Sequence, residues 1–184
     1  STYKNEVAKA GYYSTHIDKY DIKAEFTASK RVGVSKFTFP NGQANVLLNL
    51  GLGLTNEQGA MVQVVSSTEI QGMRSVGTFC YNSPEAAYPV YFVAKFSKPA
   101  DRFGVWKKPA KYEGTEAQWM AYNGKNRLME QSTKMVVGDS IGSCFSYNFE
   151  KTETVEVKIG VSYVSIENAR ENLEKETTNK SFED

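Results

Sequence analysis

Apolar and polar residues alternate through most of this chain, most cleanly where Ile22, Ala24, Phe26 and Ala28 are set against Lys23, Glu25, Thr27 and Ser29. Side chains in a strand point to opposite faces with a period of two, so this run predicts a strand with one apolar and one wet face. GYYSTHID precedes it across the polar corner Asp18-Lys19-Tyr20-Asp21, and VGVSKFTF follows it until Pro40-Asn41-Gly42 stops the pattern. Three strands joined by short polar turns predict an antiparallel meander whose apolar face another layer must cover.

The remaining sequence supplies more of the same. In ANVLLNL, Ala44, Val46, Leu48 and Leu50 share one face and Leu47 lies on the other, the mark of a strand central in its sheet. MVQVV follows a glycine-rich loop. Glu69 to Tyr81 is strand-like, but Gly72 and Gly77 predict a bulge or a close backbone approach there. Val90, Phe92, Ala94 and Phe96 make another alternating run, whereas Pro99 to Gly114, with FGVWKKP inside it, is irregular. AQWMAY and NRLME flank Asn123-Gly124, a strong hairpin signal. CFSYNF and VEVKIGVSY close the series, with Val155, Val157, Ile159, Val161 and Tyr163 facing one way.

Only the C-terminus changes period. Ser165 can cap a helix, and Ile166, Ala169 and Leu173 recur at i, i+3 and i+7, with Glu171 and Lys175 able to pair. One helix over Ile166 to Thr177 thus follows about ten to thirteen strands of ordinary length. The fold class is all-β: a large antiparallel β-sandwich with one C-terminal helix.

Composition sharpens this picture mainly by exclusion. With 22 basic and 21 acidic residues there is no broad field to recruit nucleic acid. No apolar run approaches the length that spans a bilayer, so membrane insertion is not expected. STYKNEVAKAGYY lacks the basic start and apolar centre of a secretion signal. With no initiator Met and an abrupt stop at SFED, the chain reads as an internal piece of a longer precursor.

Candidate chemistry is sparse. The lone histidine, His16, sits mid-strand with no GxSxG, which points to a solvated or core residue rather than a catalytic base. One histidine and two distant cysteines make no zinc set. Cys80 and Cys144 either form one disulfide or are two small buried hydrophobes. Glycoside hydrolysis needs two suitably spaced acids, and nothing brings Glu25, Glu69, Glu113 or Asp139 together. Glu25 reads as part of a solvated face. Trp106 is the best candidate for an exposed sugar-stacking ring, whereas Trp119 alternates like a core residue. Asn179-Lys180-Ser181 fits a glycosylation acceptor.

Against this background, NEVAKAGYYSTHIDKYDIKAEFTASKRVGVSKFTFP resembles the N-terminal domain of glycoside hydrolase family 92, the bacterial exo-acting α-mannosidases. EIQGMRSVGTFC, YPVYFVAKFSKP, FGVWK and VKIGVSYVSIENARENLEKE fall in the same order, so the resemblance covers nearly the whole chain. It implies a galactose-mutarotase-like supersandwich packed on a C-terminal (α/α)6 barrel that carries the general acid, the general base and most calcium contacts. Residues 1–164 would then be part of the sandwich, and 165–184 a helix leading toward the barrel. The resemblance carries no catalytic residue and no metal ligand onto this chain, whose partners would be its own barrel and mannose-containing glycans. The parent would be an exported bacterial enzyme of the periplasm, cell surface or medium. Family members have a long upstream stretch, including a Gly- and His-rich segment, and a His where this chain has Thr2-Tyr3-Lys4. The expected role is a non-catalytic domain that shapes the pocket of a calcium-dependent inverting α-1,2-type mannosidase. Within it, Gly72 to Cys80 is the candidate rim segment, and Arg74 is either a donor to sugar hydroxyls or a salt-bridge residue. A stand-alone carbohydrate-binding module using Trp106, and a structural or adhesive sandwich, are the alternatives.

Overall fold

The computed structural model describes residues 2–51, 59–77, 87–107 and 134–184, together with the backbone of the strand Arg127–Glu130. The expected meander is present, with one strand more. β1 (Tyr3–Lys9), β2 (Tyr12–Ile17), β3 (Ile22–Ala28) and β4 (Val32–Phe39) pair in sequence. Gly11 turns the first corner at φ +75°, which a residue without Cβ adopts freely. Asp21 ends a 3-10 turn over Asp18–Tyr20 in the left-handed region that short polar side chains tolerate.

From Phe39 the chain crosses through Gly42 into a second layer, starting with β5 (Gly42–Asn49). It returns as β6 (Ala60–Ser66), β7 (Glu69–Val76) and β8 (Tyr88–Phe96) to the first sheet. β9 (Arg102–Lys107) and β10 (Arg127–Glu130) join the second layer, and β11 (Met135–Gly138) joins the first. β12 (Ile141–Phe149) belongs to the second layer and β13 (Glu153–Ser162) to the first. Among the described residues the result is a nine-stranded sheet, β1-β2-β3-β4-β13-β8-β7-β6-β11, under a four-stranded sheet, β10-β9-β12-β5. All pairings are antiparallel. The chain is therefore the all-β sandwich that its alternation predicts.

Two sequence expectations change here. FGVWK is a regular strand, β9, whose pattern is hidden because its outward face holds Gly104 and Trp106 instead of polar residues. ANVLLNL is an edge strand: β5 pairs with β12 along its whole length and has no second neighbour among the described residues. Leu47, which made the strand look central, is 63% exposed.

The two sheets bury a common core that includes Val62, Ile70, Phe96, Val105, Phe145 and Val155. Phe96 and Phe145 stack across the layers with centroids 4.2 Å apart. Gly72 serves close approach and not a bulge. A Cβ there would lie 2.1 Å from the Met61 carbonyl and 2.9 Å from the Phe92 ring, while the β7–β8 register runs unbroken.

The opposite face of the large sheet is covered by α1 (Ile166–Thr177). Ser165 caps it, accepting from the Asn168 amide at 3.1 Å. Ala169 and Leu173 pack with Val32, Val34 and Val93, and Phe182 of the following tail closes the cluster. Burying Leu173 contributes about 2 kcal/mol. The helix lies so close that a Cβ on Gly160 would meet the Ala169 carbonyl at 2.5 Å and the Leu173 Cβ at 2.7 Å. Ion pairs then pin its length: Arg170 reaches Glu69 at 2.7 Å, and Glu176 takes Arg31 Nε at 2.8 Å.

Gly160→Val should displace α1 and cost about 1–3 kcal/mol in urea unfolding. Gly33→Ala, whose new Cβ meets nothing within 4 Å, should stay within about 0.5 kcal/mol of the parent chain. Equal costs at the two positions would refute the close-packing account. The Ser29 hydroxyl and the Arg31 guanidinium and amide hold the Glu176 carboxyl down at about 2, against an ordinary 4.5. A depressed carboxylate stabilises the fold above its unfolded value, and that stability is lost as pH falls through the folded one. Melting temperatures taken from pH 4.5 down to 2 should therefore fall less steeply for Glu176→Gln than for the unsubstituted chain. An unchanged slope would mean that this contact contributes nothing.

Candidate functional site

Arg74 stands near the end of β7, opposite Ala60 of β6 and Val90 of β8. Alternation from Ile70 and Gly72, both against the core, puts it on the inner face of the large sheet, and its Nε and Nη2 are shielded from solvent. A guanidinium held inside the sandwich end is a different setting from the open rim expected of a sugar donor. One pleat further along, Tyr88 opens β8 opposite Val76, and its ring lies 5.9 Å from that of Tyr163 at 60°. Tyr88 is 49% exposed and Tyr163 71% exposed. Alternation along β13 sets Tyr163 on the same side as Val155 and Val157; it lies one residue past the strand end and is exposed. The candidate rim segment is described only to Gly77.

Trp106 is 6% exposed. Its ring fills the space above Gly142 on the outer face of the small sheet, where a Cβ would meet ring carbons at 2.5 and 2.6 Å. The expected exposed platform is thus a packed residue, committed to a glycine that has no side chain to compete with it. The Cys144 thiol is half-buried, 3.6 Å from the Ser146 hydroxyl. Cys80, Glu113, Trp119 and the Asn123-Gly124 turn lie outside the described residues.

The acids are tied to cations. Glu25 is 6% exposed, not part of a solvated face, because its side of β3 lies beside the Phe182 tail. It accepts from the Tyr12 hydroxyl at 2.8 Å and pairs with Lys23 at 3.0 Å and Lys36 at 3.6 Å. Burial pushes the Glu25 carboxyl up, but Lys23, Tyr12 and Lys36 outweigh it and hold it below the usual carboxylate range. Lys36 also bonds Glu183 and lies 4.4 Å over the Phe182 ring, so this network fastens the tail to the sheet. His16 pairs with Asp21 at 3.0 Å. A general acid for glycoside cleavage needs a raised carboxyl. Every carboxyl with a resolved shift among the described residues, from Asp18 to Asp184, is lowered instead. Among the described residues no group of three or more His, Cys, Asp or Glu side chains could hold a metal ion. Calcium takes six to eight oxygen ligands, and no acidic cluster of the kind that would supply them is found among the described residues.

Comparison with known proteins places this architecture. Residues 1–162 match the glycosyl hydrolase family 92 N-terminal domain. The family 92 α-mannosidase BT3965 from Bacteroides thetaiotaomicron is 26% identical, with a TM-score of 0.78 over 100% of this chain and 23% of its own. The same α-mannosidase has also been solved in complex with mannoimidazole. The family 92 glycosyl hydrolase ccman5 gives a TM-score of 0.77 at 22% identity, over 98% of this chain and 23% of its own. The inverting family 92 mannosidase BT2199 from the same Bacteroides species gives 0.70 at 18% identity, over 96% of this chain and 20% of its own. The chain thus spans about a quarter of the length of these enzymes. No curated protein sequence matches it.

Trp106→Ala should empty the space above Gly142 and cost about 3–5 kcal/mol in chemical denaturation. A variant that keeps its stability but loses an affinity for methyl α-mannoside would restore the platform role.

Proposed function

The chain belongs to glycosyl hydrolase family 92, as its N-terminal domain, and from this premise we propose that it is the non-catalytic partner of an α-mannosidase barrel. In this reading it packs on a C-terminal catalytic domain, holds that domain in position and narrows the sugar pocket to a terminal mannose. The parent is a calcium-dependent inverting enzyme of α-1,2 type, exported from a bacterium and acting on mannose-containing glycans. Its acid, base and calcium ligands lie in the barrel. Residues 165–184 lead from sandwich to barrel. The observation that carries this reading is that the whole chain superposes on 23% of an α-mannosidase. The electrostatics agree with it, since carboxylates held ionised by lysines and arginines suit fastening better than proton transfer. Arg74 serves the packing at the barrel-facing end and not the sugar directly. A stand-alone carbohydrate-binding module would have used Trp106 as its platform, and the burial of that ring leaves the module reading without its main support.

The purified chain should leave aryl α-mannosides intact with calcium present, while the parent polypeptide should hydrolyse them and lose the activity to a chelator. Turnover by the chain alone, or a parent without α-mannosidase activity, would overturn this function.

A further inference from the structure

The stretch after α1 is held to the large sheet by side chains. Among the described residues no backbone hydrogen bond joins 178–184 to a strand. The Lys180 amide turns back to the Thr177 carbonyl at 3.2 Å instead, and Asn179 makes the corner at φ +59°. Lys158 of β13 donates to the Lys180 carbonyl. Phe182 packs with Val32, Val34 and Tyr12, its ring edge-on to the Tyr12 ring at 6.3 Å. Glu183 pairs with Lys36. Lys158 lies opposite Val34, and Lys36 opposite Glu25, so the stretch runs from β13 over β4 toward β3.

The seat has open space on both flanks of the ring. On one side a cavity of about 110 Å³ separates it from Ser29, Val34 and Glu176. On the other a groove of about 380 Å³ separates it from Gly11 and Glu25, and Phe182 is a wall of both. α1 has no such clearance, since a Cβ on Gly160 would already meet it at 2.5 Å. A segment with no ladder and with voids beside its buried ring opens more readily than the helix it follows. It would move as a unit, because Asp184 accepts from the Ser181 amide at 2.7 Å and the Ser181 hydroxyl at 2.9 Å. Lys36 is the post on which it closes. The ammonium lies 4.4 Å over the Phe182 ring, bonds Glu183 and stands 3.6 Å from the buried Glu25 carboxylate. Glu25 is itself fixed by Lys23 and the Tyr12 hydroxyl, so the sheet presents this charge in one place.

We propose that residues 178–184 are a detachable clasp that closes on Lys36, and that its closure sets the direction in which the polypeptide leaves the sandwich for the catalytic domain. This rests on the reading above that the chain is one domain of a longer enzyme. Lys36 is then a positioning residue, acting through the clasp and not on the substrate. With the clasp shut, the exit is fixed over β4. With it open, the exit swings from the end of α1 on a tether of roughly 20 Å. A pocket shared by two domains is complete only in the closed population. Opening the clasp therefore weakens apparent substrate affinity in proportion to the population lost, while turnover from the assembled state is unchanged.

Trypsin reads the clasp at the Lys180–Ser181 bond, whose cleavage tracks the open population. Phe182→Ala should speed that cut roughly tenfold or more, in the chain and in the parent polypeptide. Glu183→Gln, which removes an ion pair from a side chain 66% exposed, should speed it about two- to fivefold. Cleavage after Lys175, inside α1, is the check on folding and should stay slow in both variants. In the parent, Phe182→Ala should raise KM for an aryl α-mannoside several-fold with kcat within about twofold, and enlarge the radius of gyration in solution scattering. Phe182→Leu should restore both. Unchanged cleavage at Lys180 would overturn the clasp, as would cleavage that rises only together with the cut after Lys175. Faster cleavage that moves neither KM nor scattering would overturn its part in placement. An inactive parent whose scattering still responds to Phe182→Ala refutes only the function above. An active mannosidase that keeps its KM and its scattering refutes only this inference.

Discussion

The fold depends on covering strands that are apolar on both sides. β4 and β8 offer Phe39, Phe92 and Phe96 to one layer and Val32, Val34 and Val93 to another. A sheet nine strands wide with such a centre cannot stop at one covering layer, since bare Val and Phe on either face would each forfeit about 1.5–3 kcal/mol. The small sheet covers one side and α1 with its tail the other. Gly160, on β13 between β4 and β8, marks where the second cover had to come closest. The ion pairs of Arg170 and Glu176 are consequences of this closeness. They fix the position of a helix already placed by Ala169 and Leu173.

Local pattern made the layers legible and the neighbours illegible. The meander, the capped helix and the sandwich class were all readable from period and turn chemistry, because those depend on residues within a few positions of one another. β1 was not, since YKNEVAK is wholly exposed and has no apolar face to betray a strand. β13 threads between β4 and β8, more than fifty residues from the nearer of them in sequence, and no turn signal records that. Glu25 and Trp106 failed for a related reason. A polar residue in an alternating strand reads as wet, and a tryptophan in an irregular stretch reads as open, until the layer that covers each is known.

The candidate site shows the same separation between residue type and setting. Carboxylates are abundant here, but each one with a resolved shift is stabilised in its charged form by a lysine, an arginine, a hydroxyl or a backbone amide. Glycosidic cleavage needs one acid pushed the other way by an apolar or like-charged environment. The physics that makes these acids good fasteners for α1 and the tail makes them poor proton donors.

The mismatch at β5 carries more information than either observation alone. A sequence pattern reflects the surroundings a strand has in its finished protein, whereas a structure of these residues shows only the surroundings they supply themselves. Where the two agree, as along β4 and β13, the neighbours are all present. At β5 the pattern asks for an apolar contact on each face and a strand on each side, and the described residues provide one of each. Leu47 in water would be unremarkable by itself, since single exposed leucines are common on protein surfaces. It gains weight because, among the described residues, an uncharged edge and an apolar groove shared with Ile17, Ile22 and Phe37 lie beside it.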